Sequence, residues 1–345
     1  MNIDGCAIDD TTDCWVIAEV GHNHQGDLEK CKRIFDAAKE NGASAVKLQK
    51  RDNRTLFTKE LYNKPYDNEN SFGRTYGEHR EALEFGLKEY RELQQYCRSI
   101  GITFFATAFD FPSADFLAAL EIPVFKLASG DLKNIPLLKH VAAFGKPMIV
   151  STGGGSMEDV RRAYDAIMPI NSNLAILQCT ASYPTPPEEM NLRTIATFRE
   201  QLAGAVIGLS DHSNGISMAV TAYMLGGRII EKHFTLNHTW KGTDHAMSLE
   251  PEGMRKMVRD LKRVRTALGD GVKRTLSSEQ GALHKMGKKI VAARELGAGH
   301  VLKAEDLAIK SPGDGLAPYE IDRLIGRKLG RALREDDNIR LEDME

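Results

Sequence analysis

The sequence predicts a (β/α)8 barrel, the TIM-barrel class of α/β fold, followed by a smaller C-terminal unit. Eight short apolar runs alternate with eight amphipathic helical patterns over about 250 residues, which is typical of parallel strands that close into a barrel. Polar side chains follow most of these runs, as they do at the catalytic end of such barrels. A doubly wound sheet is the alternative, but G-H-N-H-Q-G after the first run is not a glycine-rich dinucleotide-binding turn.

The first elements show a pattern that the rest of the barrel repeats. Residues 15–20 (W-V-I-A-E-V) predict a strand, an amphipathic helix follows from Leu28 to Asn41, and residues 43–49 predict the second strand. The remaining strands are predicted at 102–107, 122–129, 146–152, 174–180, 205–210 and 228–233. The remaining helices are predicted at 88–99, 113–120, 134–144, 156–168, 188–201, 215–225 and 251–267.

The composition changes after Leu268, where a polar segment indicates a linker. We therefore predict a barrel domain over residues 1–268, a linker over 269–284 and a unit of short strands and turns over 285–345. A unit of about sixty residues has a marginal core, so we expect it to pack on the barrel or on another subunit.

The bulk composition is that of an ordinary globular protein, with 42% hydrophobic residues, 27% charged residues and a formal net charge of −2. This balance gives no general attraction to nucleic acid or to an anionic membrane, so an anionic substrate must be held locally. No apolar run approaches the ~18 residues of a membrane span, and Met1 to Asp13 lack the pattern of a signal peptide. We expect a cytoplasmic protein whose five scattered cysteines are reduced.

Two histidines stand at matched positions, each at the end of an apolar run and before a polar turn. His212 follows A-V-I-G-L-S-D, and His233 ends R-I-I-E-K-H. Neutral imidazole is a common ligand for first-row divalent ions, and adjacent strands with carboxylates nearby would make an open site. A structural role is the usual one for a single histidine of this kind, but the pair predicts a metal site.

Charged residues also interrupt the apolar runs. Glu19 lies in the first strand, where a carboxylate is costly unless it is paired or faces a polar cavity. Lys47 and Lys126 end two other strands and would repel each other without an anion between them. With nearby hydroxyls and the amides of S-T-G-G-G at 151–155, the lysines predict a cradle for a phosphate and a carboxylate. A Schiff-base lysine, or two lysines that only reach the rim, are the alternatives.

The connection from Arg51 to His79 is too long for an ordinary barrel loop. It carries basic and aromatic residues, and such excursions are often lids or binding loops. The loop could cover the site and receive the distal end of an anionic or polyhydroxylated substrate. A solvated charged flap is the alternative. The basic residues in question are Arg51, Arg54, Lys59, Lys64, Arg74 and His79.

Specific motifs along nearly the whole chain resemble the sialic acid synthase family. They are A-E-V-G-H-N-H-Q-G-D, V-K-L-Q, F-K-L-A-S-G-D, S-T-G, C-T-A-S-Y-P-T-P, G-L-S-D-H and E-K-H-F-T. The C-terminal unit looks like the antifreeze-like (SAF) domain that follows the barrel in that family. The resemblance implies condensation of phosphoenolpyruvate with an open-chain N-acylmannosamine-type sugar, which gives a nine-carbon 2-keto sugar acid and phosphate.

The resemblance also implies roles for individual residues. His212 and His233 would bind a divalent ion, manganese in the first place and magnesium or cobalt as alternatives, and Glu19 would order or deprotonate water. The residues implied to hold phosphoenolpyruvate are Lys47, Thr107, Lys126, Ser129, Ser151 and Ser210. The residues implied to contact the sugar are Gln49, Asp131, Tyr183 and Asp244. A domain-swapped homodimer is implied as well.

Two positions depart from the family pattern. Many bacterial members have an Arg before the Pro-Gly of the C-terminal domain that holds the N-acyl group of the sugar, and this chain has Ser311 preceded by Lys310. Either Lys310 substitutes for that Arg or the contact to the N-acyl group is missing. Ala181 stands where many members have an Asn. The acceptor can be the free or the 6-phosphorylated sugar, and we slightly favour the free one because arginine also hydrogen-bonds neutral hydroxyls.

Three other functions compete with this interpretation. A related synthase could make a deaminated nononate, legionaminate or pseudaminate with the same site chemistry. A non-catalytic protein that binds sugar or ice is suggested only by the C-terminal unit. A metal-dependent hydrolase would release phosphate without a sugar acceptor.

Overall fold

Eight parallel strands close into a barrel, so the predicted (β/α)8 fold is confirmed. The computed structural model describes residues 1–345, which divide into two units, Met1–Leu268 and Gly269–Glu345. The strands of the first unit are β1 (Asn2–Ile3), β2 (Cys6–Ala7), β3 (Trp15–Gly21), β4 (Ala45–Lys50), β5 (Thr103–Ala108), β6 (Phe125–Leu127), β7 (Met148–Ser151), β8 (Leu174–Cys179), β9 (Val206–Asp211) and β10 (Ile229–His233). Strands β3 to β10 pair in sequence order, and β10 pairs with β3 to close the barrel.

Helices follow the barrel strands and surround them. In chain order they are α1 (Leu28–Glu40), α2 (Asn53–Leu56), α3 (Lys59–Asn63), α4 (Tyr76–Glu81), α5 (Leu87–Ile100), α6 (Phe111–Ala119), α7 (Ile135–Ala142), α8 (Met157–Ile167), α9 (Thr194–Gln201), α10 (Ser217–Met224) and α11 (Pro251–Leu268). Side-chain caps fix several helix starts. Asp27, Asp110 and Asn134 each accept a hydrogen bond from the backbone N–H three residues further on.

Two predicted elements are shorter than expected. Strand β6 spans three residues instead of 122–129, because the chain turns into a 3₁₀ helix at Ser129–Asp131. Helix α9 begins at Thr194 instead of 188. Pro187–Glu189 forms a separate 3₁₀ turn, and the left-handed backbone of Asn191 (φ 41°) interrupts the helix before it.

The alternation of side chains along the strands divides the barrel into an inner and an outer layer. The inner apolar cluster contains Ile17, Ala45, Phe105, Val124, Ile149, Ala175, Leu177 and Ile229, whereas the intervening strand residues pack against the helices. Residues two positions further along the strands share the inner face and lie nearer the carboxyl end. These residues include Glu19, Lys47, Thr107, Lys126, Ser151 and Glu231.

A hairpin formed by β1 and β2 covers the amino end of the barrel. Ile3, the last residue of β1, and Ile8, which directly follows β2, are both fully buried in the inner apolar cluster. Trp15 belongs to the same cluster and stacks on Phe105, with ring centroids 5.9 Å apart. The amino end of the barrel interior is therefore filled with apolar side chains.

The long connection after β4 contains α2, α3 and α4. One of its expected basic residues is not available as a cation. His79 is buried among Tyr66, Phe72 and Tyr76, and burial together with Arg80 lowers the pKa of His79 to about 4. The expectation of a basic His79 was therefore wrong, because the imidazole belongs to the apolar interior of the loop.

The second unit contains the helix α12 (Gln280–Met286) and the antiparallel strands β11 (Lys289–Ala292) and β12 (Leu307–Lys310). Its own apolar core includes Ile290, Leu302, Leu324, Leu329 and Ile339. The fully buried Asp306 accepts hydrogen bonds from His300 and from the backbone N–H of Lys303. None of the helices in either unit combines the length and apolar character needed to span a bilayer.

An ion pair lies buried between the strands and the helices. Lys232 Nζ is 2.8 Å from Asp211 Oδ2, and the two residues stand opposite each other on β10 and β9. Asp211 Oδ1 also accepts hydrogen bonds from the N–H and the hydroxyl of Ser213. Burial lowers the pKa of Lys232. The ammonium therefore depends on Asp211 to remain charged in the interior.

We predict that Asp211→Ala lowers the free energy of unfolding by about 3–5 kcal/mol, because it leaves a buried ammonium without its counter-charge. Urea denaturation followed by circular dichroism measures the shift. The control Glu158→Ala breaks an exposed ion pair with Arg162 and should hardly move the midpoint. Equal shifts for the two variants would contradict the prediction.

Candidate active site

A cavity of about 560 Å³ opens at the carboxyl ends of the barrel strands. Twelve of the residues that the sequence singled out line it, although they come from all parts of the barrel. They are Glu19, Lys47, Gln49, Thr107, Lys126, Ser129, Ser151, Tyr183, Ser210, His212, His233 and Asp244. The structure thus brings the two histidines and the two lysines into one cavity.

Among the expected sugar-contacting residues of the barrel, Asp131 does not line this cavity. Asp131 is buried, accepts a hydrogen bond from Asn134, and has a pKa that burial raises to about 6. Lys310 lies in the second unit, where it is exposed and forms an ion pair with Asp336. Ala181, which replaces the expected Asn, does line the cavity wall with its methyl group.

Four buried charges form the floor of the cavity, and we call Glu19, Lys47, Lys126 and Glu231 the charge network. Lys47 Nζ lies 2.6 Å from Glu19 Oε2 and 3.7 Å from Glu231 Oε2. Lys126 Nζ lies 3.8 Å from the other oxygen of Glu231. The carboxylate of Glu231 therefore stands between the two lysines, at the place where the sequence predicted an external anion.

The two carboxylates of the charge network have pKa values shifted in opposite directions. Burial raises the pKa of Glu19 and outweighs the effect of Lys47. Burial acts in the same direction on Glu231, but Lys126 and Lys47 together hold its pKa below the usual range. Glu231 is therefore an anion that fixes the lysines, whereas Glu19 is suited to exchange a proton.

Glu231 is the carboxylate within the R-I-I-E-K-H run that ends on His233, and no role was assigned to it from the sequence. A signal for it existed, because strand residues two apart share a face and Glu231 stands two positions before His233. Its hydrogen bond from Ser210 Oγ, at 3.0 Å, also explains the inward direction of that serine. The distances from Glu231 to the lysines depend on the folded barrel, so this pairing could not be foreseen from the sequence.

Hydroxyl groups line the wall beside Lys126. Ser129 Oγ accepts a hydrogen bond from the N–H of Gly153 at 2.9 Å. Ser151 Oγ is buried and has no hydrogen-bond partner. Thr107 Oγ1 accepts a hydrogen bond from Lys47 Nζ at 2.8 Å. The hydroxyl of Ser151 is therefore free to donate a hydrogen bond to an oxyanion that binds beside the lysines.

The imidazoles of His212 and His233 face each other, with ring centroids 5.5 Å apart. His212 Nδ1 lies 2.9 Å from the carbonyl oxygen of Thr180, and because a carbonyl only accepts, Nδ1 carries the proton and Nε2 the lone pair. His233 Nδ1 is buried without a hydrogen-bond partner and lies 3.8 Å from Asp244 Oδ2. Burial lowers the pKa of His233, so this imidazole is neutral.

This donor set fits a catalytic ion and not a structural one. No group of three or more His, Cys, Asp or Glu side chains is arranged to hold a metal ion. An ion held by His212 and His233 would keep open positions for water and for substrate oxygens, as catalytic sites require. Tyr183 stacks on His212, with ring centroids 4.1 Å apart, and covers this part of the cavity.

Two arginines also line the cavity. Arg51 was noted in the sequence as a basic residue of the long loop, and Arg80 was not noted as a site residue. Arg51 Nη2 donates to Gln49 Oε1 at 2.7 Å, and Gln49 Nε2 donates to Glu19 Oε1 at 2.7 Å. The arginines are thus connected to the charge network through Gln49. The remaining basic residues of the long loop do not line the cavity.

Family models match both units of the chain. The NeuB family model matches residues 34–273, and the SAF domain model matches residues 289–345. The first match covers the barrel from α1 to the end of α11. The second covers the β11–β12 unit and the segment after it.

Known proteins are similar over nearly the full chain. N-acetylneuraminate-9-phosphate synthase from Homo sapiens is 41% identical over 94% of this chain and 91% of its own length. N,N'-diacetyllegionaminic acid synthase from Legionella pneumophila is 35% identical over 96% of this chain and 95% of its own length. Among solved structures, the N-acetylneuraminic acid synthetase of Leptospira borgpetersenii superposes with a TM-score of 0.71 at 32% identity, covering 82% of this chain and 94% of that chain. The chain therefore belongs to the NeuB family.

Proposed function

We propose that the protein condenses phosphoenolpyruvate with an open-chain N-acylmannosamine-type sugar and releases phosphate. The product is N-acetylneuraminate or its 9-phosphate. The observation that supports this proposal is the single cavity that contains two buried lysines, three serine hydroxyls and two opposed imidazoles. Relatives named as N-acetylneuraminate-9-phosphate synthase and as N,N'-diacetyllegionaminic acid synthase support this proposal and point to related products within the family. A synthase for a related nonulosonate is therefore the second candidate.

The floor of the cavity supplies the groups that phosphoenolpyruvate requires. Lys47 and Lys126 would bind its carboxylate and phosphate, and the unpartnered hydroxyl of Ser151 would donate to one of these oxygens. Glu231 lies 3.7 Å from Lys47 Nζ and 3.8 Å from Lys126 Nζ, so it offsets part of their positive charge before the substrate arrives. Binding of the anion then replaces part of this internal pairing instead of creating the cationic site anew.

The reaction forms one carbon–carbon bond and breaks one carbon–oxygen bond. The methylene carbon of phosphoenolpyruvate attacks the aldehyde carbon of the sugar, whose oxygen takes a proton and becomes a hydroxyl. Water adds to the resulting cationic carbon, and Glu19 accepts a proton from this water. The tetrahedral carbon then expels phosphate, which leaves the 2-keto group of the product.

His212 and His233 would hold a divalent ion, for which we propose manganese, with magnesium and cobalt as alternatives. When bound, the ion supplies Lewis-acid polarisation of the aldehyde oxygen. The Thr180 carbonyl fixes the tautomer of His212, so that its free lone pair is available on the cavity side. Tyr183 covers His212 and would pack on the sugar chain.

The dimer with exchanged C-terminal domains also remains a proposal. Lys310, the expected contact to the N-acyl group, is exposed in its own unit and pairs with Asp336. An exposed ion pair of this kind contributes little, so it does not prevent Lys310 from meeting a substrate. Light scattering after size-exclusion chromatography measures the oligomeric state.

We predict acceptor-dependent phosphate release. With manganese and phosphoenolpyruvate, N-acetylmannosamine or its 6-phosphate should produce equal amounts of phosphate and keto acid, because the carbon–oxygen bond breaks only after condensation. Mass spectrometry identifies the product from a panel of hexosamines. Phosphate release in the absence of any sugar would indicate a hydrolase, and no product from any acceptor would contradict the condensation.

We predict that Glu19→Gln lowers kcat by roughly 10²- to 10⁴-fold, the usual range for loss of a general base. In the unsubstituted protein the rate should fall with decreasing pH at a higher pH than for an ordinary glutamate. The raised pKa means that Glu19 becomes protonated, and loses its role as a base, earlier on acidification. The exposed Glu29→Gln on α1 is the control. An unchanged acidic limb in Glu19→Gln would assign that limb to another group.

We predict that His233→Ala abolishes measurable manganese binding in calorimetry with the metal alone and lowers phosphate release by about 100-fold or more. His238→Ala, which changes a half-exposed histidine next to Glu250, should preserve both properties. Circular dichroism confirms that the variants are folded. Full manganese affinity in His233→Ala would exclude this imidazole as a ligand.

A further inference from the structure

Arg51 and Arg80 line the active-site cavity, and neither is in an ion pair. Arg51 stacks on Phe109, with its guanidinium carbon 3.7 Å from the ring centroid, and donates to the side-chain oxygen of Gln49. Arg80 donates to the hydroxyl of Tyr76 from Nε at 3.1 Å and from Nη2 at 3.0 Å. Neutral groups therefore orient both guanidiniums without compensating their charge.

The imidazole of His22 lies between the two arginines and cannot satisfy both. Arg51 Nη1 lies 3.3 Å from Nε2, and Arg80 Nη1 lies 3.3 Å from Nδ1. Burial, Arg51 and Arg80 keep the pKa of His22 well below its usual value, so the ring is neutral and has one N–H and one lone pair. Guanidinium groups only donate, so one of the two contacts places a donor against a donor. Each arginine keeps unused donors beside the cavity.

The neighbouring carboxylates, Glu84 and Asp244, form no ion pair with either arginine and have other partners. Glu84 lies near His22 but forms an ion pair with Lys50 at 3.0 Å. Asp244 accepts a hydrogen bond from Thr243 and lies 3.8 Å from His233. Burial is the main reason that the pKa of Arg51 is lowered to about 10, and the adjacent Arg80 acts in the same direction. A buried cationic pair of this kind is stabilised by an anion from outside the chain.

The two arginines lie at the end of a chain of contacts that starts at the floor. Lys47 contacts Glu19, Glu19 accepts from Gln49, and Gln49 accepts from Arg51. From Arg51 the chain continues through His22 to Arg80, which is only partly buried. The arginines are thus separate from the lysines that would hold phosphoenolpyruvate, and Arg80 is more exposed than those almost completely buried lysines.

We propose that Arg51 and Arg80 bind a terminal phosphate on the acceptor sugar. This proposal rests on the condensation proposed above, in which the sugar aldehyde lies at His212 and His233. The sixth carbon of an open-chain hexosamine is the end remote from that aldehyde, so its phosphate would extend toward the cavity wall. Two planar guanidiniums with free donors suit a dianionic phosphate better than a neutral hydroxyl. The acceptor assigned to this protein is the 6-phosphorylated sugar, in place of the free sugar favoured from the sequence.

The test compares the ratio of kcat/KM for N-acetylmannosamine 6-phosphate to that for N-acetylmannosamine. In the unsubstituted protein the ratio should be well above one. Arg80→Gln should lower it by about 10- to 100-fold, the usual effect of losing a charge-assisted contact, and Arg80→Lys should restore part of it. Arg51→Gln should act in the same direction. The control is Arg74→Gln, because Arg74 belongs to the same loop but is exposed and does not line the cavity.

Several results would overturn the assignment. An equal loss on both acceptors, or an increased KM for phosphoenolpyruvate in Arg80→Gln, would place the arginine outside an acceptor-phosphate site. A preference of the unsubstituted protein for the free sugar would do the same. If no acceptor supports phosphate release, the condensation itself fails. In that case calorimetric titration with the phosphorylated sugar tests the arginine site independently of catalysis. Arg80→Gln must weaken the binding of this sugar, and Arg74→Gln must not.

Discussion

The four charges of the charge network constrain the rest of the site. Two lysines and two glutamates, each almost completely buried, contact one another at the carboxyl end of the barrel. Such charges are tolerated in the interior only when they are paired, so the unliganded cavity needs its own carboxylates. In the proposed reaction, phosphoenolpyruvate would compete with those carboxylates for the ammonium groups of the two lysines.

The sequence predicted the barrel and the residues of its inner face for one physical reason. In a parallel barrel the polar residues at the carboxyl ends of the strands converge on one site. These residues can therefore be assigned to that site from the sequence, before any interatomic distance is known. Glu19, Lys47 and Lys126 interrupt apolar runs in which an unpaired charge is costly. The match to the NeuB and SAF models covers the same segments that the hydrophobic pattern assigned to a barrel and a smaller unit.

The sequence could not predict contacts that depend on the folding of loops. Arg80 enters the cavity because α4 directs it back toward His22, and no local periodicity reports that direction. His79 is its neighbour in sequence but is buried among aromatic rings. Of these two adjacent residues, only Arg80 therefore reaches the cavity. Asp131 matches a family motif, but the 3₁₀ turn after β6 places its carboxylate next to Asn134 and outside the cavity.

The amino-terminal hairpin determines how substrates can enter the barrel and how products can leave it. Ile3 and Ile8 fill the interior at the end opposite the cavity, so the barrel is closed at its amino end. Substrates and products must therefore pass through the same opening, at the carboxyl end of the barrel. In the proposed reaction phosphoenolpyruvate and the sugar would therefore share one entrance, and the sugar acid would have to leave through it before the next phosphoenolpyruvate could bind.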